Sequence, residues 1–459
     1  MRYPDGKHRH FHFIGIGGIG MSALAYALAS LGYKVSGSDK RKDFYTKPLL
    51  ESQGVIIYQG HSASHVDDGV DIGVVSTAIS ADNEELMELH RRNISVVHRS
   101  QILGAFTKAN TTVGITGAHG KTTVTYYLGR VLLDALWDPS IIIGATMKEL
   151  EGNNVRIGGD LLVSEVDESD KSLLNTYPDY TVIHSIDIEH MDHYQSYDDI
   201  YNTMLAYARK TPWWGKAFLN IGYEDLHKMA DDLQKEGYKA VTYSLASKTD
   251  LPADFIGNVK DRIITIYKTG EPLVSFTLQY PTLYNFENAL AAFTVAYTLG
   301  GDPNVIAYSL EDAGLPGRRL EYKGMWRDAI VLEDYAHHPH EIEALLDGLR
   351  TMYPDKDIWG VIQPHRYTRL SSLWDEFRSV IAKFDRAFVM PVYAASEKPI
   401  DGITSERLVE GINSATFVDW ESIVPAIIDE IAKQREKGKI IVLIGAGDVY
   451  KVWDLLRSE

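Results

Sequence analysis

The chain has no cysteine in 459 residues, which excludes disulfides, thiolate nucleophiles and cysteine-ligated metals. A cytosolic address accords with that absence. Basic residues are outnumbered, with 46 Lys and Arg against 63 Asp and Glu, giving a formal charge of −17. A surface of that sign repels phosphates at long range, so broad nucleic-acid or anionic-membrane binding is not expected, while a local basic pocket for an anionic ligand remains open. Long apolar runs are also missing. The nearest approach is "FIGIGGIGMSALAYALASL", Phe13 to Leu31, which carries four glycines in its first half and continues as "GYKVSGSD", a strand pattern and not a leader or membrane span. No short-period repeat or low-complexity tract is present.

What is there is an ordinary globular composition, 45% hydrophobic and 24% charged, in a chain long enough for about two to four domains. Short apolar runs alternate with amphipathic stretches: "FHFIGI", "YKVSGSD", "VIIYQG" and "DIGVVST" read as strands, and "MSALAYALASLG" and "ADNEELMELHRRN" as helices. That rhythm predicts a parallel sheet wrapped by helices. A fresh unit starts near Asn110 with "TTVGIT" and "KTTVTYYLGRVLLDAL", and "GLPGRR" at Gly314–Arg319 marks a second boundary. The expected fold class is α/β with three domains, at 1–108, 109–316 and 317–459. The first is Rossmann-like, the second a P-loop-type ATPase domain with a mostly parallel sheet, and the third again Rossmann-like.

Two glycine-rich turns carry the chemistry. Gly15, Gly17, Gly18 and Gly20 satisfy G-x-G-x-x-G between a predicted strand and helix, with Asp39 at the end of the next strand. Amides at a helix N-terminus suit any diphosphate, so the turn does not select NAD. The second turn, Gly117-Ala118-His119-Gly120-Lys121-Thr122-Thr123, misses the usual P-loop spacing but keeps its parts. Its glycines let amides approach phosphates, Lys121 reaches the β and γ phosphates, and Thr122 offers a hydroxyl to Mg²⁺. "LLVSEVDESD" and "YTVIHSIDIEHMDHY" end two further strands in acids and histidines, among them Glu165 and His190. In a parallel sheet those ends share the edge that holds Lys121, where oxygen and imidazole ligands suit a divalent metal.

With "HFIGIGGIGMSALA", "SGSD", "GAHGKTT", "SEVDESD", "HMDHY", "NFENALAA", "GRR", "EDYAHHPHEI" and "QPHRYTR" in this order, nearly the whole chain resembles the Mur ligases. "GIGGIGMSALA" and "DESD" resemble the type that joins L-alanine to UDP-N-acetylmuramate, with the murein tripeptide ligases as the alternative. The resemblance implies an ATP-dependent, Mg²⁺-dependent carboxylate–amine ligase of peptidoglycan precursor synthesis, with UDP-N-acetylmuramate and L-alanine as substrates, no nucleic-acid partner and no membrane insertion. Position by position, it implies that Gly117 to Thr123 hold ATP, that Thr122, Glu165 and His190 attend the metal, and that Asn285 and Asn288 face adenine. Arg319 and Asp334 would reach ATP from the third domain, and Tyr335, His337, Arg366 and Arg369 would surround the amino acid. Gly15, Gly17, Gly18, Gly20, Asp39, His61 and Ser76 would cradle the UDP moiety. Ser185, Glu189, Tyr284 and Ala118 depart from the family pattern, and the first two are expected to alter the metal's surroundings. Two further classes stay open: an NAD-dependent oxidoreductase built on the first turn alone, and a catalytically weakened nucleotide-binding protein.

Overall fold

Strands and helices alternate along most of the chain, as the apolar periodicity predicts. The computed structural model describes residues 9–188, 193–395, 397–433 and 437–459. They divide into two compact units, Met1–Gln279 with Tyr284–Pro316, and Tyr280–Leu283 with Gly317–Glu459.

The first unit contains two sheets. The first sheet is five-stranded and fully parallel, in the order Ile56–Gln59, Lys34–Asp39, His10–Ile14, Ile72–Val75, Ser95–His98. Its order reverses beside His10–Ile14, which places the following glycine turn at the switch point where open parallel sheets bind ligands. The second sheet has ten strands. Its middle runs Lys216–Asn220, Tyr180–Ile183, Thr111–Thr116, Leu161–Glu165, Ser140–Met147, and all four pairings are parallel. The turn-rich stretch beyond Tyr238 becomes Ala240–Leu245 and Phe255–Lys260, then Ile263–Lys268 and Glu271–Phe276, which extend the sheet antiparallel.

The two sheets are not independently packed. Phe11 and Phe13 of the first, with Met21 and Leu24 of the helix Ile19–Ser30 that follows, share one apolar cluster with Ile142, Val155 and Leu162 of the second. The boundary expected at 108/109 therefore lies inside one compact unit, where helix Arg99–Ala109 passes into strand Thr111–Thr116. Helix Leu283–Thr298 lies in the large core, its Ala289, Leu290, Ala291, Ala292 and Phe293 fully buried. Small residues on several faces let it seat closely against its neighbours.

The second unit is a six-stranded sheet in the order Glu321–Trp326, Ala329–Asp334, Lys439–Ile444, Asp357–Ile362, Arg386–Val389, Ala415–Phe417. Only its first pair is antiparallel. Lys439–Ile444 is buried at every position, and after Lys439 it reads as a continuous apolar run, as a strand covered on both faces does.

Candidate active site

The second glycine turn joins strand Thr111–Thr116 to helix Lys121–Asp134. Two of its residues must be glycine. Gly117 has φ +139, and a Cβ there would meet the Ser185 backbone nitrogen at 2.8 Å. Gly120 has φ +80, and a Cβ there would stand 2.5 Å from both Asn288 Oδ1 and His184 Cδ2. Positive φ and lack of room together explain the sequence.

Ile115 pairs with Glu165 and Ile183 with Thr116, so the strands flanking the turn end level with it. Thr122 Oγ1 donates to Glu165 Oε1 at 2.9 Å, and the Gly144 amide donates to Glu165 Oε2 at 2.7 Å. Burial pushes the Glu165 carboxyl up, against the pull of Lys121 and these hydrogen bonds. A carboxylate so placed beside a threonine hydroxyl is a donor set that a hard divalent cation would favour. Lys121 Nζ donates to the Gly117 carbonyl at 2.6 Å, the Ala118 carbonyl at 3.2 Å and Glu168 Oε1 at 2.9 Å. Burial opposes its charge, but Glu168, Asp167 and Glu165 outweigh that and hold its pKa above the usual lysine value. Asp167 lies at about 2, burial being overcome by Arg99 and Lys121.

His190 and Glu189 lie outside the described residues, and no cluster of three or more His, Asp or Glu fit for a metal occurs among those described. Ser185 bonds the glycine turn. Its Oγ accepts from the His119 amide at 2.7 Å and donates to the His119 carbonyl at 2.9 Å, so it clamps the turn itself. His119 Nε2 also stands 3.1 Å from Asp187 Oδ2. Thr123, Asn285 and Asn288 are buried. Asn288 meets the turn at Gly120 and hydrogen-bonds His184, whose pKa burial lowers to about 4. Glu168 and His184 also adjoin the turn, and sequence reasoning left them without a role. The adjacency of "DESD" and "HSID" to the flanking strand ends was the available signal.

The first glycine turn is held from within: Gly15 and Ile16 donate to the Ser38 carbonyl at 2.8 and 2.9 Å, and Gly18 donates to the Gly15 carbonyl at 3.1 Å. Gly17 donates to Asp39 Oδ2 at 2.9 Å, so Asp39 secures the turn. Amides able to face a diphosphate therefore begin at Ile19 and Gly20, in the first turn of helix Ile19–Ser30. Ser76 follows strand Ile72–Val75 on the same edge. His61 Nδ1 lies 2.9 Å from Ser38 Oγ, which in turn donates to the fully buried Glu85. Glu85 also accepts from the Ser62 amide at 3.2 Å and lies 2.7 Å from His65 Nδ1 and 3.5 Å from His12 Nε2.

In the second unit, Asp334 ends a buried strand and accepts from the Leu320 and Ala336 amides at 2.9 and 2.8 Å. Burial pushes its carboxyl up, with Arg319 pulling the other way. The Arg319 guanidinium lies 5.5 Å from the Tyr335 ring centroid, and Tyr335 and His337 meet edge to face. Burial lowers His337 to about 4, so it is neutral at pH 7. Arg369 approaches His365 Nδ1 at 3.2 Å, and Arg366 donates to Glu397 at 2.6 Å from a backbone with φ +70. Arg319, Asp334, Tyr335, His337, Arg366 and Arg369 thus gather at one end of this sheet, joined by His365 and Glu397, which the motif reading had not singled out.

Comparison with known proteins gives the family. "Mur ligase family, catalytic domain" matches residues 10–111, "Mur ligase middle domain" residues 115–296, and "Mur ligase, glutamate ligase domain" residues 318–447. The chain belongs to the Mur ligase family. Within it, the UDP-N-acetylmuramate--L-alanine ligase of Desulforapulum autotrophicum is 38% identical over 458 residues, 98% of each chain. The ligase of that name from Aquifex aeolicus is 37% identical over 96% of each. The crystal structure of UDP-N-acetylmuramate-alanine ligase from Thermotoga maritima shares the fold with a TM-score of 0.83 and 24% identity, covering 98% of this chain and 99% of that one.

Proposed function

We propose that the protein is an ATP-dependent ligase that joins L-alanine to the lactyl carboxylate of UDP-N-acetylmuramate, in the cytoplasm where peptidoglycan precursors are assembled. The assembly of Lys121, Thr122 and Glu165 around the second glycine turn carries this reading, together with full-length identity to relatives bearing that name. It accounts for both turns and for the arginines of the second unit, which an oxidoreductase would leave idle.

A carboxylate does not yield to an amine directly, because oxide would have to leave. A carboxylate oxygen instead attacks the γ-phosphorus of ATP, and ADP departs with the bridging electron pair, leaving an acyl phosphate. The neutral amine of L-alanine adds to the acyl carbon, loses a proton, and inorganic phosphate leaves with the former carboxylate oxygen. Lys121 would exchange the Gly117 and Ala118 carbonyls for phosphate oxygens, and its charge offsets theirs. Thr122 and Glu165, with His190, would hold Mg²⁺, which would supply charge neutralisation at the phosphates. Asn285 and Asn288 would face adenine, and the family pattern assigns Arg319 and Asp334 to nucleotide contact. Arg366 and Arg369 pair with the alanine carboxylate beside Tyr335 and His337, since a guanidinium fork matches two oxygens. The first turn, with Asp39, His61 and Ser76, receives the UDP moiety.

The test is phosphate release from ATP in the presence of Mg²⁺ and UDP-N-acetylmuramate, with L-alanine, glycine, L-serine or the murein tripeptide as acceptor. Release with L-alanine in preference to the others is expected. Activity with the tripeptide and no single amino acid would overturn the specificity, and no release with any acceptor would overturn the ligase reading.

A further inference from the structure

Glu85 is a fully buried carboxylate to which the chemistry above gives no role. It lies on helix Glu84–Arg91 and collects groups from its neighbours: Ser38 on strand Lys34–Asp39, His12 on strand His10–Ile14, and Ser62 and His65 beyond strand Ile56–Gln59. Burial alone would favour the neutral acid, but His12, Ser38 and His65 outweigh it and hold the carboxylate ionised, at about 2.

That charge fixes the order of protons around it. An ionised carboxylate only accepts hydrogen bonds, and a serine hydroxyl has one proton to give. Ser38 spends its proton on Glu85. Its Oγ can then only accept from His61 Nδ1, 2.9 Å away, and Glu85 Oε2, 3.6 Å from the same nitrogen, favours a proton there too. In a neutral imidazole with Nδ1 protonated, Nε2 is an acceptor. His61 Nε2 has no hydrogen bond among the described residues, and the side chain is 12% exposed. The buried network thus ends in one outward-facing acceptor.

Position on the sheet says which part of a nucleotide meets it. In doubly wound folds the diphosphate lies over the turn after the first strand, and the nucleoside over the end of the neighbouring strand. His61 follows Ile56–Gln59, the edge strand beyond Lys34–Asp39, and so stands on the nucleoside side. An ionised diphosphate offers no donor, whereas uridine offers a ring N–H and two ribose hydroxyls.

We propose that Glu85, through Ser38, holds His61 with its proton on Nδ1, so that Nε2 accepts a hydrogen bond from the uridine of the UDP-sugar. This rests on the UDP-sugar reading above. It makes Glu85 and Ser38 positioning residues, and it assigns His61 to a nucleoside donor and not to a phosphate.

The experiment is calorimetric titration of the full chain at pH 8, with ADP saturating the second turn. The ligands are UDP and analogues that each lack one donor: 3-methyl-UDP, 2′-deoxy-UDP and 3′-deoxy-UDP. Wild type, His61→Leu, Glu85→Gln and Ser38→Ala are compared. Glu85→Gln keeps the shape but offers a donor as well as an acceptor, so Ser38 is free to turn its proton to His61 and leave the ring proton on Nε2. Wild type should bind one analogue about tenfold or more weaker than UDP, because Nε2 is left without its donor. That gap should shrink to within about threefold in His61→Leu and in Glu85→Gln. Ser38→Ala deletes the link while keeping the buried carboxylate, and should narrow the gap likewise even if Glu85→Gln does not fold. A merely structural hub would weaken UDP and its analogues together and leave the gap as in wild type. A gap that persists in Glu85→Gln and Ser38→Ala, or no gap for any analogue in wild type, would overturn the proposal. Wild type that binds no UDP would instead overturn the UDP-sugar reading beneath it, so the two failures are told apart.

Discussion

Gly120→Ala is the sharpest test of how the nucleotide turn is built. Two costs combine at this position. The backbone sits at φ +80, where an L-residue costs about 1–2 kcal/mol. The new Cβ would also stand 2.5 Å from Asn288 Oδ1 and His184 Cδ2. Neither atom ends a flexible chain, since Asn288 and His184 are both buried, so relief requires a shift of the turn or helix, costing about 1–3 kcal/mol more. Gly237→Ala separates the two terms. Gly237 has φ +91 with nothing within 4 Å of the added Cβ and belongs to the same compact unit. Urea unfolding of both variants should show Gly120→Ala the less stable by about 1–3 kcal/mol. ADP binding should weaken in Gly120→Ala alone. Equal destabilisation of the two, with ADP affinity intact in both, would refute the packing argument.

Other outcomes follow from the same geometry. Ser185→Ala removes both bonds to His119, and leaving that amide without its acceptor should raise KM for ATP by a factor corresponding to about 1–3 kcal/mol; an unchanged KM for ATP would contradict the clamp. Glu85 is held at about 2, burial being overcome by hydrogen bonds from His12, Ser38 and His65. A depressed carboxyl pKa stabilises the fold above its unfolded value and loses that contribution as pH falls. Wild type should therefore exceed Glu85→Gln in unfolding free energy, on the order of 3 kcal/mol near pH 6. The gap should shrink between about pH 4.5 and pH 2, and a gap independent of pH would count against the buried hub.

Much of the fold was legible because its signals are local. Apolar runs bounded by Gly32, Gly54 and Gly120 marked strand–turn–helix units that the sheets reproduce. Glu165 could be found because its strand ends in a dense acidic run. The choice of Glu168 as partner to Lys121 could not, since it depends on which of several neighbouring acids the turn faces. The bond of Ser185 to the glycine turn was hidden because it spans 66 residues. The internal bonds of the first turn were hidden for a related reason: the pattern G-x-G-x-x-G records where backbone can approach closely, and here Ser38 and Asp39 of its own sheet approach it. The shared core beneath the first two sheets was hidden likewise, because Ile142, Val155 and Leu162 look like ordinary strand residues until Phe13 and Leu24 are found against them.

The most direct test of the central claim is the fate of the lactyl carboxylate oxygens. UDP-N-acetylmuramate labelled with ¹⁸O in that carboxylate is incubated with ATP, Mg²⁺ and L-alanine, and the released phosphate is analysed by mass. An acyl phosphate requires one labelled oxygen to appear in inorganic phosphate for each amide formed. Amide formation with unlabelled phosphate would contradict the account.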